Sequence, residues 1–351
     1  MVNKEVDYLI VGQGLAGCML AHFLEKENKS FIIIDELKGE TSSTKATGLI
    51  NPITGRRFVK SWKIDELIPF AEKTYKELEN KFSVKLISKT KVHRIIQSIE
   101  QQNDWATKTK EDRYKGYLQN TESIHHSQGI IHNPLGCIEI EPVYKVNTTL
   151  LISKFTEHFE NKNLVIRKKF DYDKLQVLNK GFKYEEVLAK KVIFAEGHLA
   201  INNPYFKYLP FLLSKGEVLV FEAKDLSNDY IIGGSTNITP LGDHLFSVGA
   251  TYAWDDISLT TTKQKKQELI DKLAKIINCE YKIVSQKAGV RPTVKDRRPL
   301  LGSHPENDNL HIFNGMGTKG LSLAPYFANY FIHQVENNLA IDLEISIKRF
   351  N

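Results

Sequence analysis

Near the start of the chain, Gly12, Gly14 and Gly17 stand in the spacing G-x-G-x-x-G. An apolar run of strand length, Val6 to Val11, precedes them, and a stretch with helical apolar spacing (Ala16, Leu20, Phe23, Leu24) follows. In that setting the first glycine makes a tight turn and the second lets the backbone approach a pyrophosphate. The third lets helix and strand pack closely. The helix N-terminus, with Leu15 and Ala16 in its first turn, offers free N–H groups and a positive dipole end to phosphate. A second apolar run, Phe31 to Ile34, ends at Asp35 and Glu36, about 20 residues on, where the acidic residue of a dinucleotide site belongs. A carboxylate there accepts both ribose hydroxyls and repels a 2′-phosphate, which disfavours NADP. The competing reading gives the glycines a turn-forming role only.

The grammar recurs near the C-terminus. Leu310 to Phe313 reads as a strand, Asn314 to Gly320 as a glycine loop, and Leu321 to Val335 as a helix. Set at the pyrimidine edge of a flavin, that helix would stabilise negative charge with its positive end. Together with a fingerprint at the extreme N-terminus, this favours FAD over NAD. It makes Gly315, Gly317, Thr318, Lys319 and Gly320 cofactor candidates. A buried strand from Lys190 ends in Ala195-Glu196-Gly197, adding Ala195 and Gly197. A plain surface loop is the alternative for residues 314–320.

These blocks, taken in order, resemble the FAD-dependent oxidoreductases of the D-amino-acid oxidase/glycine oxidase family over essentially the whole chain. The marks are Val11 to Gly17 with Asp35, Ser43-Thr44-Lys45-Ala46-Thr47-Gly48, and Ile193 to Gly197. Gly289-Val290-Arg291-Pro292-Thr293 with Asp296 to Gly302, and Gly315 to Gly320 with Leu323-Ala324-Pro325, complete them and are the more specific. In motif the chain is most similar to the oxidoreductase half of a bacterial enzyme that modifies wobble uridine in tRNA. The companion methyltransferase half is expected to be absent, since the fingerprint opens the sequence.

The resemblance implies roles for particular residues. Arg291 is the expected substrate anchor, its planar fork holding a carboxylate; a structural ion pair with Asp296, or a purely surface role, is the alternative. Thr47 and Gly48 are expected near the flavin ring. Lys319 is expected to face flavin or substrate, or to be a solvated loop lysine. Arg56 and Arg57 would bind phosphate or a second carboxylate, or form an exposed charged turn. Asn237 stands where glycine-oxidase-like members carry a tyrosine, which weakens the case for a free amino acid as substrate. Tyr252 and Trp254 are expected to line the substrate side, or to pack in the core. The block 43–48 offers no His or Cys, so FAD is expected to be held noncovalently.

The elements that must position these groups follow from pattern. The fold class is α/β plus α+β: a Rossmann-like FAD-binding domain of residues 1–83, 146–215 and 286–351, with a discontinuous antiparallel-sheet substrate domain of residues 84–145 and 216–285. Helices are expected at about 64–81, 148–159 and 262–277, and strands at 92–96, 216–221, 230–232 and 245–252. The chain has 351 residues, 41% apolar and 26% charged, which excludes wholesale disorder and fibrous repeats. No apolar run approaches the length of a membrane span and no signal peptide is visible. Cys18, Cys137 and Cys279 are dispersed and odd in number, fitting no disulfide framework, so a cytoplasmic location is expected. His125, His126 and His132 lack metal-ligand spacing, and no metal is expected. The net charge of +6 permits an anionic or RNA partner without demanding one.

The expected activity is oxidation of a C–N bond in a small amine or amino-acid-like substrate, by hydride transfer to flavin N5 and hydrolysis of the imine. Oxygen or another acceptor would take the electrons. One alternative is tRNA-directed removal of a carboxymethyl group from a modified wobble uridine. Another is a non-catalytic FAD-binding protein.

Overall fold

A computed structural model describes residues 4–37, 41–118 and 129–350. The chain divides into two compact units. The first comprises residues 1–44, 148–214 and 290–351, and the second residues 45–147 and 215–289.

The first unit is built on a largely parallel sheet. Lys4–Val11 lies between Phe31–Ile34 and Val187–Phe194, parallel to both. Val165–Ile166 extends the sheet beyond Phe31–Ile34, and Asn307–Asn314 extends it beyond Val187–Phe194, again in parallel. All four residues of Phe31–Ile34 are buried, as a parallel strand covered on both faces requires. The helices Leu15–Lys26 and Gly320–Glu336 pack against each other. At the far end of the second helix, Glu336 accepts hydrogen bonds from Tyr8 and Lys29, tying the last helix to the first strand.

The second unit carries an eight-stranded sheet. Ile87–Ile95 pairs antiparallel with Cys137–Val146, and Ile231–Gly233 joins its other edge in parallel. Asn237–Gly242, Leu245–Gly249 and Ser214–Glu222 follow as antiparallel neighbours. The helix Lys263–Ala274 covers one face through Leu269 and Leu273, packed with Leu219, Phe221, Ile238 and Val248. Two of its four lysines pair with its own Glu268, Lys265 at 2.7 Å and Lys272 at 2.6 Å.

Two expectations need correction. Residues 45–83, assigned on sequence with the dinucleotide-binding segments, cluster with the second unit. The cause is pairing distant in sequence: Leu49–Ile50 pairs with Tyr144 and Lys145, and the helix Ile64–Phe82 packs on Ile87–Ile95. The strand expected at 245–252 ends at Gly249. Beyond it, the chain stays on Ser214–Glu222 through Thr251 N–H to the Glu217 carbonyl (3.0 Å) and the paired bonds of Ala253 with Lys215. After the strand Ile87–Ile95 comes the helix Ile99–Lys108. The Ser98 hydroxyl caps it by accepting from Gln101 N–H at 3.2 Å. His125 and His126 lie outside the described residues.

Gly48 shows how tightly the second unit is drawn together. Its φ is +81°, and a Cβ there would sit 2.2 Å from the Val146 carbonyl oxygen. Gly55 has a similar φ of +74°, yet a Cβ there would meet nothing within 4 Å. Gly55→Ala should therefore cost only the backbone strain, about 1–2 kcal/mol. Gly48→Ala should cost several kcal/mol, because backbone must move as well. Paired chemical denaturation of the two variants checks the difference; equal losses would contradict it.

Candidate active site

The first strand of the parallel sheet delivers the chain at Gly12, whose amide donates to the Ile34 carbonyl at 3.0 Å. Gly12 takes φ +105°, and a Cβ there would lie 2.6 Å from the Ala195 carbonyl oxygen. A Cβ on Gly17 would lie 1.9 Å from the Gly12 carbonyl oxygen, so the helix rests directly on the turn. These two glycines are demanded by the protein's own packing. Gly14 is different. It is the helix N-cap in extended conformation, and a Cβ there would meet nothing closer than the Ser43 hydroxyl, at 3.6 Å. The protein has room for a side chain at Gly14, so the glycine reserves space for something else. Gly14 has no side chain to cap this helix, and the first turn holds no acid. Leu15 N–H donates to Ser43 Oγ at 3.0 Å, and the turn's positive end remains electrostatically open to a pyrophosphate.

Asp35 sits where a ribose-binding carboxylate belongs. One of its oxygens accepts Gln13 N–H and the other accepts Leu37 N–H, both at 2.7 Å. Each keeps a lone pair for a ribose hydroxyl. Glu36 follows it, half-buried. Behind this edge, the Gln13 side chain is held from two sides. Its Nε2 donates to Thr156 Oγ1 (2.8 Å), and its Oε1 accepts from Arg167 (2.6 Å).

The C-terminal glycine loop meets the same unit. Asn314 accepts Gly315 N–H at 2.8 Å and donates to the Gly197 carbonyl at 2.9 Å, joining the two glycine loops. Gly315 fits against Leu300 and Val294, where a Cβ would come within 2.9 Å of each. Gly317 N–H donates to the Pro292 carbonyl at 3.2 Å, which sets the Arg291 turn beside the loop. Ser42 donates to the Val290 carbonyl. Asp296, the alternative partner for Arg291, pairs instead with Arg349, at 2.8 Å. The helix Gly320–Glu336 starts without a side-chain cap and without an acid in its first turn. At Gly320 a Cβ would touch Leu15 at an ordinary 3.5 Å, so the starts of the two helices are neighbours. Thr318 is exposed and Lys319 half-buried. Burial pulls the Lys319 ammonium below its ordinary pKa, and the nearby Arg298 and Arg297 add to that.

Thus Gly12, Gly14, Leu15, Ala16, Gly17, Asp35, Ala195, Gly197, Gly315, Gly317, Lys319, Gly320 and Arg291 belong to one unit and are linked by the contacts above. Thr47, Gly48, Arg57, Asn237 and Tyr252 belong to the other. Gly48 has a packing reason of its own against Val146. Arg57 is exposed in the turn between Ile53–Thr54 and Val59–Lys60, where its carbonyl accepts from Lys108. Tyr252 is half-exposed and stacks on Trp254, ring centres 6.0 Å apart, so neither is a core residue. No group of metal-ligating residues forms among the described residues, and His132 serves the backbone, its N–H donating to the Ile276 carbonyl.

Glu196, beside Ala195 and Gly197, was not singled out in the sequence. Burial lifts its carboxyl to about 7, against hydrogen bonds from Tyr172 (2.5 Å) and Asn203 (2.7 Å) that favour the charged form. The only sequence signal is an acid closing an apolar strand. Because the folded pKa is raised, the unfolded chain releases this proton first. Stability is then lost as pH rises from about 4 to about 7, by about 3 kcal/mol in all. Glu196→Gln should remove that slope, which thermal midpoints across pH 4–8 would show. Gly14→Ala should change stability by less than about 1 kcal/mol. It should nevertheless weaken FAD binding at least about tenfold, the equivalent of about 1.4 kcal/mol. Fluorescence titration with FAD reads the second effect, and unchanged affinity would deny that Gly14 reserves the cofactor's space.

The residues fit FAD: an open glycine turn, two uncapped helix ends side by side, and a carboxylate with free acceptor capacity. A family model described as FAD dependent oxidoreductase matches residues 7–334. An uncharacterized oxidoreductase, YurR of Bacillus subtilis, is 21% identical, covering 91% of this chain and 92% of its own. The bifunctional protein MnmC of tRNA 5-methylaminomethyl-2-thiouridine biosynthesis, from Shewanella loihica, is 23% identical. That match covers 95% of this chain, which spans 57% of the relative's length. Among solved structures, glycine oxidase from Geobacillus kaustophilus superposes with a TM-score of 0.80 at 17% identity, covering 97% of each chain. The glycine turn, the paired helix ends and this match over nearly the full length place the chain in the FAD-dependent oxidoreductase family typified by D-amino-acid oxidase.

Proposed function

We propose that the chain oxidises a C–N bond in a small amine or amino-acid-like substrate bearing a carboxylate. The observation that carries this reading is the attachment of the Arg291 turn to the second glycine loop through Gly317 and Pro292. It brings the backbone at Arg291 close to a glycine loop that, on this reading, belongs to the cofactor site. The glycine oxidase likeness supports the substrate class. Arg291 holds the carboxylate by paired hydrogen bonds and fixes the orientation of the α-carbon. With Lys319 it supplies positive charge that disfavours the ammonium form of the substrate, so the amine binds unprotonated without a strong general base. The uncapped start of Gly320–Glu336 stabilises anionic charge placed before it. The chemistry FAD supplies when bound is acceptance of the α-hydrogen with its electron pair, leaving an imine that water splits into a carbonyl compound and a smaller amine. Oxygen or another acceptor takes up the electrons, and FAD is held noncovalently.

A second reading, removal of a carboxymethyl group from modified wobble uridine in tRNA, is supported by the match of 95% of the chain to part of the bifunctional tRNA protein. Substrate size separates the two. In the absence of oxygen, glycine, sarcosine or another N-alkyl glycine should bleach the visible flavin band of the holoenzyme. Bleaching only by tRNA from cells lacking the trimming activity would shift the answer to the second reading. Arg291→Leu should keep its flavin and lose about 100-fold in kcat/KM for the small amine, within the range of a charge-assisted carboxylate contact. Full turnover in that variant would remove Arg291 from the role.

A further inference from the structure

Gln13 stands between Gly12 and Gly14, at the turn a pyrophosphate meets, and it is only 2% exposed. A long polar side chain so deeply buried must find its partners inside the protein. Each of the four polar atoms of Gln13 has one. The backbone N–H donates to Asp35 Oδ2 at 2.7 Å, and the carbonyl accepts from the Cys18 thiol at 3.6 Å. In the side chain, Nε2 donates to Thr156 Oγ1 at 2.8 Å and Oε1 accepts from Arg167 at 2.6 Å.

The two side-chain partners are themselves held. Thr156 and Glu160 stand four residues apart on the helix Thr148–Asn161, so they share one face. The Thr156 hydroxyl donates to the Ile152 carbonyl at 2.9 Å, which leaves its oxygen to accept from Gln13. Glu160 Oε1 accepts two N–H groups of Arg167, at 3.0 and 2.9 Å, and so fixes the fork whose remaining arm meets Gln13. Arg167 directly follows the strand Val165–Ile166, and the Ile166 carbonyl accepts Asp35 N–H at 3.2 Å. The contacts therefore run from a helix face and a strand end, through the Gln13 side chain, into the Gln13 peptide. From that peptide they pass to Asp35. All of these residues belong to the first unit.

The Asp35 carboxylate depends on this chain of contacts. Gln13 N–H and Leu37 N–H hold its two oxygens, one each, and together they set the plane of the group. A carboxylate that must meet two ribose hydroxyls at once works only in the right plane, and a displacement of about 0.5 Å is enough to spoil it. Flanked by two glycines, the Gln13 peptide has little stiffness of its own. Its side chain supplies the stiffness.

We propose that Gln13 and Arg167 are positioning residues of the cofactor site: they brace the Gln13 peptide so that Asp35 recognises the ribose hydroxyls of the FAD adenosine. The brace acts through Asp35, without a contact of its own to the cofactor. It concerns the cofactor alone and does not depend on which substrate is oxidised.

Calorimetric titration of the full chain, freed of FAD, tests this with ADP and 2′-deoxy-ADP, which differ by one ribose hydroxyl. Wild type should bind ADP at least about tenfold more tightly, the worth of a hydrogen bond to a charged group. Gln13→Leu, which fills the space without bonding, should bring the two affinities within about twofold of each other. Arg167→Met keeps the Thr156 bond and should lower the preference at least about threefold. That variant changes a half-buried side chain and decides the matter if Gln13→Leu does not fold. Gln13→Glu still accepts from Arg167; its added charge weakens both nucleotides, but their ratio should stay within about twofold of wild type. Equal binding of the two probes by wild type would overturn the brace. So would a ratio that stays at the wild-type value in Gln13→Leu and Arg167→Met, since residues that merely hold the fold together weaken both probes in parallel. A loss of preference in Gln13→Glu as large as in Gln13→Leu would overturn it as well.

Discussion

The contact on which the nucleotide site depends is one between backbones. The helix Leu15–Lys26 touches the preceding turn where Gly17 meets the Gly12 carbonyl, with no space for even a methyl group. That contact fixes the direction in which the helix leaves the sheet, and so where its free N–H groups and positive end are aimed. Asp35 follows from it, because its carboxylate is steadied by the amide of Gln13, the residue inside the turn. Ser43 follows too, through Leu15 N–H. The start of the last helix is brought beside the first by the contact of Gly320 with Leu15.

Charge around this site is distributed with a consistent sense. Apart from Asp35 and Glu36 at the ribose edge, the acids of this unit named above are answered: Asp296 by Arg349 and Glu344 by Arg298, while burial raises the Glu196 carboxyl to about 7. The helix starts carry no acid in their first turns. The local field is therefore set by backbone dipoles and by Arg297, Arg298 and Lys319, and it favours an anion. The overall charge of +6 is too modest to announce this. Placement, more than count, creates the preference.

What was legible in the sequence was what depends on short spacing. Gly12, Gly14, Gly17 and Asp35 fall within one βαβ unit, and Gly315 to Gly320 within one loop, so a few adjacent residues carry the whole signal. Residues 45–83 were misassigned because their partners, Tyr144 and Lys145, are nearly a hundred positions away and no local pattern encodes that pairing. Glu196 stood within a quoted motif, but its raised pKa comes from burial, against the hydrogen bonds of Tyr172 and Asn203, and burial is not revealed by spacing.

The first unit is assembled from three separated stretches of chain, and the boundary between units is crossed four times. Its opening strand, Lys4–Val11, must wait for Val187–Phe194 before its second edge is paired, and the strand beyond, Asn307–Asn314, comes later still. On a ribosome emitting about 5–20 residues per second, the N-terminal strand therefore spends many seconds with an unfinished apolar edge. Closing such long loops is also slow by topology. The first glycine turn of the nucleotide site is thus synthesised long before the loop Gly315 to Gly320 that joins it, so the site closes only after both intervening crossings into the second unit have been made.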